Sequence, residues 1–332
     1  MTERHSTCRQ IAARLTAPGK GILAADESVA TMSSRLQKAG VEPSADARRT
    51  YRELLCSTPG LADGVSGIIF CDETLHQVFR DGNPFADAVR QRGILPGVKV
   101  DTGAKPAPGL PGETVTEGLD GLPARLAHYA EIGAVFAKWR AVFTISDTLP
   151  SWGATISNAN ALARYAAACQ EAGLVPIVEP EVLMTGDHDL QRCLDVTSTV
   201  HAAVRQQLAA LGVDLAGIVL KPNMVIEGED HGTPATPGEV AAATVNVLRA
   251  WPADLAGVAF LSGGQDPERA TANLAELQKH RTPWPLTFSF GRALVSPALA
   301  AWRGEESQWV AGQQALARHV TANAGAVRLR AA

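Results

Sequence analysis

Three lysines lie at or near the ends of short apolar runs, where an amine could act as a nucleophile. Lys221 closes Gly217-Ile-Val-Leu-Lys221, and Lys99 and Lys138 lie near the ends of two earlier runs. Burial and neighbouring cations both disfavour an ammonium group, so such a lysine is driven towards its neutral form. A neutral amine condenses with a carbonyl to a Schiff base, which accepts the electrons of an adjacent C–C bond. These lysines therefore predict carbon–carbon bond chemistry without a metal.

Carboxylates occupy the same kind of position and could serve as general acid and base. Asp26 follows an apolar run directly, and Glu179 and Glu181 end another. Residues two apart on a strand point the same way. The same-facing pairs are Lys99 with Asp101, Lys138 with Arg140, and Glu179 with Glu181. Any one pair fits a structural ion pair equally well, but the whole set would be costly to desolvate without a use.

Eight apolar, mostly β-rich runs supply the elements that must position these residues. The runs are continuous rather than alternating, as expected for parallel strands covered on both faces. Helical patterns lie between them, and no Gly-x-Gly-x-x-Gly follows the first run, which disfavours a doubly wound sheet. The runs span 21–26, 65–70, 97–101, 134–140, 175–181, 217–221, 257–262 and 286–292. The pattern predicts an α/β fold, a (β/α)8 TIM barrel built as one domain over residues 1–332.

In such a barrel the carboxyl ends of the strands meet at one mouth, where active sites lie. The loops after the seventh and eighth strands are the usual phosphate site. Ser262-Gly263-Gly264 and Gly291-Arg292 follow those two strands here. Ser-Gly-Gly alone is as typical of a plain turn, but small residues beside a guanidinium favour an anion site.

Helix boundaries are marked by capping signals. Thr236-Pro-Gly-Glu239 reads as a capping box, and Asp266-Pro267 and Ser296-Pro297 also predict helix starts. A helix is expected at the N-terminus (about 5–17) and a short tail at the C-terminus (about 321–332). Residues 103–123 form a Gly/Pro-rich connection that is either a functional loop or a hairpin decorating the rim.

Composition excludes several classes of function. Of the 332 residues 46% are hydrophobic, the net charge is −4, and there is neither a polybasic run nor an apolar run long enough to span a membrane. Nucleic acid and membranes are therefore poor partners. The N-terminus lacks a signal-peptide core, and Glu3 argues against a transit peptide, so a cytoplasmic location is expected.

The cysteines and histidines do not suggest a metal site. The five cysteines are scattered and read as free core thiols rather than a catalytic or metal-binding set. Asp187-His188-Asp189 is the one cluster with metal-ligand chemistry, but it lacks a partner at zinc-like spacing and fits a polar turn or a helix start better. No metal and no cofactor are expected.

Motifs along nearly the whole chain resemble the class I fructose-1,6-bisphosphate aldolases. They are Gly-Lys-Gly-Ile-Leu-Ala-Ala-Asp-Glu-Ser, Ala-Lys-Trp-Arg, Val-Pro-Ile-Val-Glu-Pro-Glu, Leu-Lys-Pro-Asn-Met-Val, Phe-Leu-Ser-Gly-Gly-Gln and Leu-Thr-Phe-Ser-Phe-Gly-Arg-Ala-Leu, in that order from Gly19. The resemblance implies a carbon–carbon lyase of glycolysis and gluconeogenesis. It would cleave fructose 1,6-bisphosphate reversibly to dihydroxyacetone phosphate and glyceraldehyde 3-phosphate, as a homo-oligomer, often a tetramer.

The resemblance also implies residue roles. Lys221 would form the Schiff base with the C2 ketone, Glu179 would be the acid/base of carbinolamine dehydration, and Asp26 would take the C4 hydroxyl proton. Lys138, Arg140 and Glu181 would tune and position these groups. The C1 phosphate would be held by Ser262, Gly263, Gly264, Gly291 and Arg292. The C6 phosphate would be faced by Ser28, Thr31, Arg35 and Lys99.

The chain departs from the family pattern on the C6 side. Ser34 and Thr102 stand where the family commonly has lysine, and Val29-Ala30 replaces a flexible Thr-Gly. Fewer cations there would widen the substrate range towards fructose 1-phosphate. The sequence also has no tyrosine after Tyr165, whereas animal and plant members end in one that shuttles a proton; a carboxylate such as Glu179 is expected to replace it.

Two other functions fit parts of the sequence. Another Schiff-base barrel, such as a deoxyribose-phosphate aldolase or a transaldolase, would share the lysine, but two phosphate handles and the Glu-Pro-Glu strand weigh against it. A non-catalytic binding protein could keep the barrel, but Lys221, Glu179 and Asp26 would then have no reason to be intact.

Overall fold

A computed structural model describes residues 3–328 of the chain. Ten strands are present: β1 (Gly21–Ala25), β2 (Val65–Phe70), β3 (Leu95–Lys99), β4 (Gly103–Pro106), β5 (Thr114–Glu117), β6 (Phe136–Phe143), β7 (Val175–Val182), β8 (Val219–Leu220), β9 (Val258–Phe260) and β10 (Leu286–Phe290). All of these except β4 and β5 form a closed parallel barrel, in the order β1-β2-β3-β6-β7-β8-β9-β10 and back to β1. The predicted (β/α)8 barrel is confirmed.

Thirteen α-helices accompany the strands within the described residues. They are α1 (Glu3–Leu15), α2 (Val29–Lys38), α3 (Ala45–Cys56), α4 (Leu61–Gly64), α5 (Asp72–Leu75), α6 (Phe85–Gln91), α7 (Leu122–Glu131), α8 (Trp152–Glu171), α9 (Leu190–Ala210), α10 (Pro237–Leu248), α11 (Pro267–Leu277), α12 (Arg292–Trp302) and α13 (Trp309–Arg328). No helix in residues 3–328 is both long and apolar enough to cross a membrane.

Burial on both faces explains the continuous apolar runs of the strands. Every residue of β1, β2, β7 and β10 is buried. One face packs inside the barrel and the other packs against the surrounding helices. The interior is tight: a Cβ at Gly97 would lie 2.2 Å from the Phe136 ring, so only glycine fits beside that ring.

Helix α1 lies at the end of the barrel opposite the mouth. Its residues Cys8, Ala12 and Leu15 belong to the same apolar cluster as the barrel interior. Ser66, near the start of β2, donates to the Leu15 carbonyl at 2.6 Å. With one end occupied by α1, the interior opens only at the carboxyl ends of the strands, where the predicted chemistry lies.

Capping signals gave most helix starts correctly. The Thr236–Glu239 capping box and the Asp266 N-cap are both present, and Asp189 caps α9, so the Asp187-His188-Asp189 cluster is a helix start. The Ser296-Pro297 prediction is wrong. Helix α12 begins at Arg292 and carries Pro297 in its interior, so Gly291 and not Ser296 occupies the N-cap.

The chain ends and the long connection also differ from the predictions in detail. Helix α1 covers Glu3–Leu15 rather than 5–17, and α13 continues to Arg328, so the predicted tail is helical from 321 to 328. Residues 329–332 of that tail lie outside the described part of the chain. The connection at 103–123 contains the antiparallel β4–β5 hairpin, and Thr102, Gly103 and Ala104 at its base line the mouth cavity.

Candidate active site

A cavity of about 480 Å³ opens at the mouth of the barrel, at the carboxyl ends of the strands. It is lined by every residue that the sequence proposed as a site, except Gly264: Asp26, Ser28, Thr31, Arg35, Lys99, Lys138, Arg140, Glu179, Glu181, Lys221, Ser262, Gly263, Gly291 and Arg292. Gly264 lies just outside, where an added Cβ would be 3.3 Å from Arg292 Nη2.

At the centre of the cavity, four side chains form one chain of ion pairs. Lys221 Nζ is 3.0 Å from Glu179 Oε1, and Glu179 Oε2 is 3.1 Å from Lys138 Nζ. Lys138 Nζ is in turn 2.6 Å from Asp26 Oδ2. Lys221, Lys138 and Glu179 are buried. Strands β6, β7 and β8 are hydrogen-bonded neighbours, so the rigid sheet fixes the first three of these groups relative to each other.

The central carboxylates are held in their ionised form. Burial raises the pKa of Asp26, but the ammonium groups of Lys138 and Lys221 outweigh it and lower that pKa to about 2. Burial likewise raises the pKa of Glu179, and Lys138, Lys221 and Arg140 bring it below its usual value. Lys138 is the counterpart: burial lowers its pKa, but Asp26 and Glu179 raise it well above the ordinary lysine value.

This arrangement corrects one element of the sequence argument. From the sequence, a neutral lysine was attributed to burial and to neighbouring cations. In the structure Glu179 lies between the two lysines and pairs with both. A carboxylate within hydrogen-bond reach can take a proton from the Lys221 ammonium directly, which gives a neutral amine by transfer rather than by repulsion.

Arg140, Glu181 and Asp101 support this centre from one side. Arg140 Nε pairs closely with Glu181 Oε2. Asp101 accepts from the Arg140 backbone N–H (3.2 Å) and from that of Gly103 (3.1 Å), and it pairs with Lys99 Nζ at 2.6 Å. Asp101 therefore ties the β4–β5 hairpin and β6 to the rim.

One side of the mouth, which we call the Arg292 end (Ser262, Gly263, Gly291 and Arg292), presents groups that could bind an anion. Among the described residues no hydrogen bond or ion pair occupies the exposed Arg292 guanidinium. Helix α12 begins at Arg292 without a side-chain cap, so its first backbone N–H groups are free to bind an anion. Gly263 has φ +60°, a conformation that favours glycine.

The other side, which we call the Arg35 end (Ser28, Thr31, Arg35 and Lys99), is already paired. Arg35 Nη1 is 2.6 Å from Glu27 Oε1, and Lys99 binds Asp101. The N-terminus of α2 is capped by Ser28, whose hydroxyl accepts from Thr31 N at 3.3 Å. An anion here would compete with groups of the protein itself.

Some residues of the cavity wall received no role from the sequence. Glu27 lines the cavity and bridges Arg35 to the buried Arg52, whose Nη2 is 2.9 Å from Glu27 Oε2. Its position inside Asp26-Glu27-Ser28 was visible, but its partners were not. Ser289 is buried, lines the cavity and has no partner for its hydroxyl within the described residues. Its place two residues before Gly291 on a strand was the signal that could have found it.

The carboxylates of the mouth cavity are already engaged by cationic side chains. Within residues 3–328 no cluster of three or more His, Cys, Asp or Glu could hold an ion. All five cysteines are buried and free. The cavity carboxylates face lysine and arginine instead, which suits them to proton transfer.

The chain is similar to known proteins over nearly its whole length. The family model described as "Fructose-bisphosphate aldolase class-I" matches residues 7–330. A fructose-bisphosphate aldolase of Drosophila melanogaster is 50% identical over 330 residues, covering 98% of this chain and 91% of the relative. A probable class 1 fructose-bisphosphate aldolase of Xanthomonas campestris pv. campestris is 51% identical over 295 residues, 88% of each chain.

A solved structure shows the same fold throughout. It is a fructose-bisphosphate aldolase from Plasmodium falciparum, crystallised in a ternary complex with TRAP and a small-molecule inhibitor. It is 39% identical, with a TM-score of 0.97 over 100% of this chain and 97% of that one.

Proposed function

The chain belongs to the class I fructose-bisphosphate aldolases, and we propose that Lys221 forms the Schiff base on which its reaction depends. The family cleaves fructose 1,6-bisphosphate reversibly to dihydroxyacetone phosphate and glyceraldehyde 3-phosphate, in glycolysis. It acts through a Schiff-base lysine and needs no metal. The observation that carries the residue assignment is the buried chain Lys221–Glu179–Lys138–Asp26, whose charged atoms are 2.6–3.1 Å apart.

The first step makes the nucleophile. The Lys221 ammonium gives a proton to Glu179 Oε1 at 3.0 Å, and the neutral amine attacks the C2 carbonyl of the sugar. The resulting carbinolamine loses its hydroxyl as water when the protonated Glu179 returns the proton to that oxygen. An iminium between Lys221 and C2 remains, with Glu179 ionised again.

The second step breaks the C3–C4 bond. Asp26, ionised because its pKa is about 2, takes the proton of the C4 hydroxyl. The electrons of the C3–C4 bond move to the iminium and form an enamine, and glyceraldehyde 3-phosphate leaves. Protonation of the enamine at C3 and hydrolysis then release dihydroxyacetone phosphate and regenerate Lys221. We assign the C3 proton transfer to a carboxylate of the centre, with Glu179 the nearest to Lys221. The proton is the one that Asp26 took from the C4 hydroxyl, and it reaches Glu179 through the Lys138 ammonium, which contacts both carboxylates.

Lys138 lies between the two carboxylates that take up and release protons in these steps. Its ammonium contacts both Asp26 and Glu179, and its raised pKa keeps it charged while the neighbouring carboxylates change protonation. Arg140 and Glu181 form the adjacent pair that fixes the Glu179 side of the cavity. We therefore assign Lys138, Arg140 and Glu181 to positioning and electrostatic support.

We assign the two phosphates of the substrate to the two ends of the mouth. The C1 phosphate is held at the Arg292 end, where Gly264 leaves room beside the guanidinium. The C6 phosphate lies towards the Arg35 end. The free guanidinium and uncapped helix support the first assignment most strongly.

Borohydride trapping tests the lysine assignment. Dihydroxyacetone phosphate plus borohydride should attach one adduct per chain, and peptide mapping should place it on Lys221. Lys221→Arg should abolish both adduct and cleavage, whereas Lys105→Arg, on the exposed β4–β5 hairpin, serves as the matched control and should retain both. An adduct on Lys138 or Lys99 would refute the assignment, and loss of activity in EDTA would refute the metal-free reaction.

We also propose that the chain works as a single-domain, cytoplasmic homo-oligomer. One closed barrel takes up the fold, which supports the single domain, and membership of a family that is often tetrameric supports the assembly. Light scattering after size exclusion would measure the mass, and a monomer at micromolar concentration would contradict the oligomer.

A further inference from the structure

Two histidines meet on the outer surface, away from the mouth cavity. His76 directly follows α5, and His128 lies in α7. Their Nε2 atoms are 3.0 Å apart. The ring centroids are 5.2 Å apart and the ring planes differ by 18°. Because the centroids are so much farther apart than the nitrogens, the rings meet edge to edge and each Nε2 points at the other.

The far side of His76 fixes which of its nitrogens is free. Its Nδ1 lies 2.8 Å from the Asp72 carbonyl, an acceptor only, so the ring proton is on Nδ1 and the lone pair is on Nε2. The Asp72 side chain is itself held, since Tyr129 donates to its Oδ1 at 2.7 Å. Histidines that bind metals usually donate their second N–H to a carbonyl or carboxylate in this way.

In the metal-free pair, the proton between the rings belongs to His128. Its Nε2–H donates to the His76 lone pair. If that proton moves to Nδ1 of the exposed His128, both Nε2 atoms carry a lone pair that faces the space between the two rings. The move is a tautomer change, so no group gains or loses net charge.

We propose that His76 and His128 form a binding site for a divalent transition-metal ion of the zinc class. Imidazole nitrogen suits Zn²⁺, Cu²⁺ and Ni²⁺. Two Zn–N bonds of about 2.0–2.1 Å at a tetrahedral angle place the nitrogens roughly 3.3 Å apart, with the ion off the line that joins them. The Nε2 atoms therefore need to separate by about 0.3 Å, and each exposed ring needs to turn by roughly 35° so that its lone pair meets the ion. Water molecules complete the coordination, because the protein supplies two ligands, the two histidines.

Two other histidines of the described chain, His201 and His188, are less suited to a metal, and a third, His231, has no histidine hydrogen-bonded to its ring. His201 is buried and accepts from the Trp251 indole at 3.1 Å, and burial together with Arg205 lowers its pKa to about 3. The two ring nitrogens of His188 are buried without partners. His231 lies against the Asp187 carbonyl.

A bound ion would clamp the segment after β2 to helix α7, adding a second link beside the Asp72–Tyr129 hydrogen bond. Neither histidine lines the mouth cavity. The clamp should therefore raise thermal stability and leave aldol cleavage unchanged, and it stands or falls independently of the Lys221 assignment.

Titration with zinc chloride tests the site. The full chain, freed of metal with EDTA and dialysed, should bind one Zn²⁺ per chain by calorimetry, with a rise in melting temperature. His76→Gln and His128→Gln should each abolish both signals, while His231→Gln, the matched control, should keep them. Equal binding by the wild type and the two pair variants would overturn the proposal, as would no binding by the wild type.

Two further measurements test whether the variants are folded and whether the metal is bound by histidine nitrogens. Without metal, the pair variants should match the wild type in circular dichroism and in the rate of fructose 1,6-bisphosphate cleavage, which shows that they fold. With one equivalent of Cu²⁺, the electron paramagnetic resonance spectrum of the wild type should show two nitrogen donors. A spectrum with no nitrogen coupling, or one unchanged in the pair variants, would also refute the site.

Discussion

The two ends of the mouth follow neighbouring strands, β1 and β10, yet they offer an anion very different surroundings. At each end a helix begins within four residues of the strand, and an arginine lies close by. At the Arg292 end the helix is uncapped and the guanidinium is free. At the Arg35 end Ser28 caps the helix and Glu27 binds the arginine. Equivalent positions in a barrel can therefore differ in function through one cap and one carboxylate.

The charged side chains that line the cavity show the same difference between the two ends. Six lysines and arginines and five carboxylates line it, and only Arg292 lacks an ion-pair partner among the described residues. A ligand phosphate at the Arg292 end gains an unsatisfied cation. A phosphate at the Arg35 end must share cations with Glu27 and Asp101, which offsets part of its binding energy.

The largest effect should come from removing the free arginine. Arg292→Ala should lower kcat/KM about 10- to 100-fold, because a charge-assisted hydrogen bond contributes about 1.5–3 kcal/mol. The loss should be equal for fructose 1,6-bisphosphate and fructose 1-phosphate, since both carry the C1 phosphate. Steady-state kinetics would measure it, with Arg292→Lys as the control that keeps the charge. A loss confined to the bisphosphate would reverse our assignment of the two ends.

The substrate ratio should be the next largest effect. The cations of the Arg35 end already pair with carboxylates of the protein, so the C6 phosphate should add less than about 1.4 kcal/mol to transition-state binding. The values of kcat/KM for the two sugars should therefore differ by less than about tenfold. Parallel kinetics on the unmodified chain would measure this. A preference for the bisphosphate of several hundredfold would show that Glu27 and Asp101 give up their partners readily.

A smaller and selective loss should follow Arg35→Ala. We expect kcat/KM for fructose 1,6-bisphosphate to fall about two- to fivefold, because Arg35 is shared with Glu27, and that for fructose 1-phosphate to stay constant. Arg49→Ala, which removes another arginine–glutamate pair outside the cavity, controls for stability. Equal losses on both substrates would indicate a structural role instead.

The smallest effect should be an increase in the preference for the bisphosphate. Thr102 is exposed, lines the cavity and stands at the base of the β4–β5 hairpin. Thr102→Lys would add a cation without a carboxylate partner in place, and we expect a two- to threefold shift of kcat/KM in favour of the bisphosphate. Thr102→Gln matches the length without the charge, so a similar shift in that variant would argue against an electrostatic cause.

Much of the barrel could be read from the sequence, because buried parallel strands have a simple apolar pattern. All eight predicted runs overlap a barrel strand, and five of them contain it. The errors concern a helix boundary, which the sequence marks by only a few neighbouring residues. Ser296-Pro297 looked like a helix start, but α12 had already begun at Arg292, where Gly291 follows the strand without a capping side chain. Proline signals a helix start only when no earlier residue has begun the helix.

The residues that form the site could also be predicted from the sequence, whereas the ion pairs between them could not. Polar residues at strand ends must converge in a barrel, so Lys221, Glu179, Lys138 and Asp26 could be grouped before any coordinate was known. Which carboxylate faces which lysine depends on strand register and side-chain rotamers, which the sequence leaves open.

The barrel, its mouth and the residue types gathered there follow from the sequence, because strand periodicity and parallel topology leave few alternatives. The folded structure was needed to show that Glu179 lies between two lysines, that Glu27 pairs with Arg35, and that Arg292 has no partner among the described residues. It also brought together His76 and His128, which lie 52 residues apart. These are distances between side chains on different elements, and charge interactions within a few ångströms, not composition, set what each group can do.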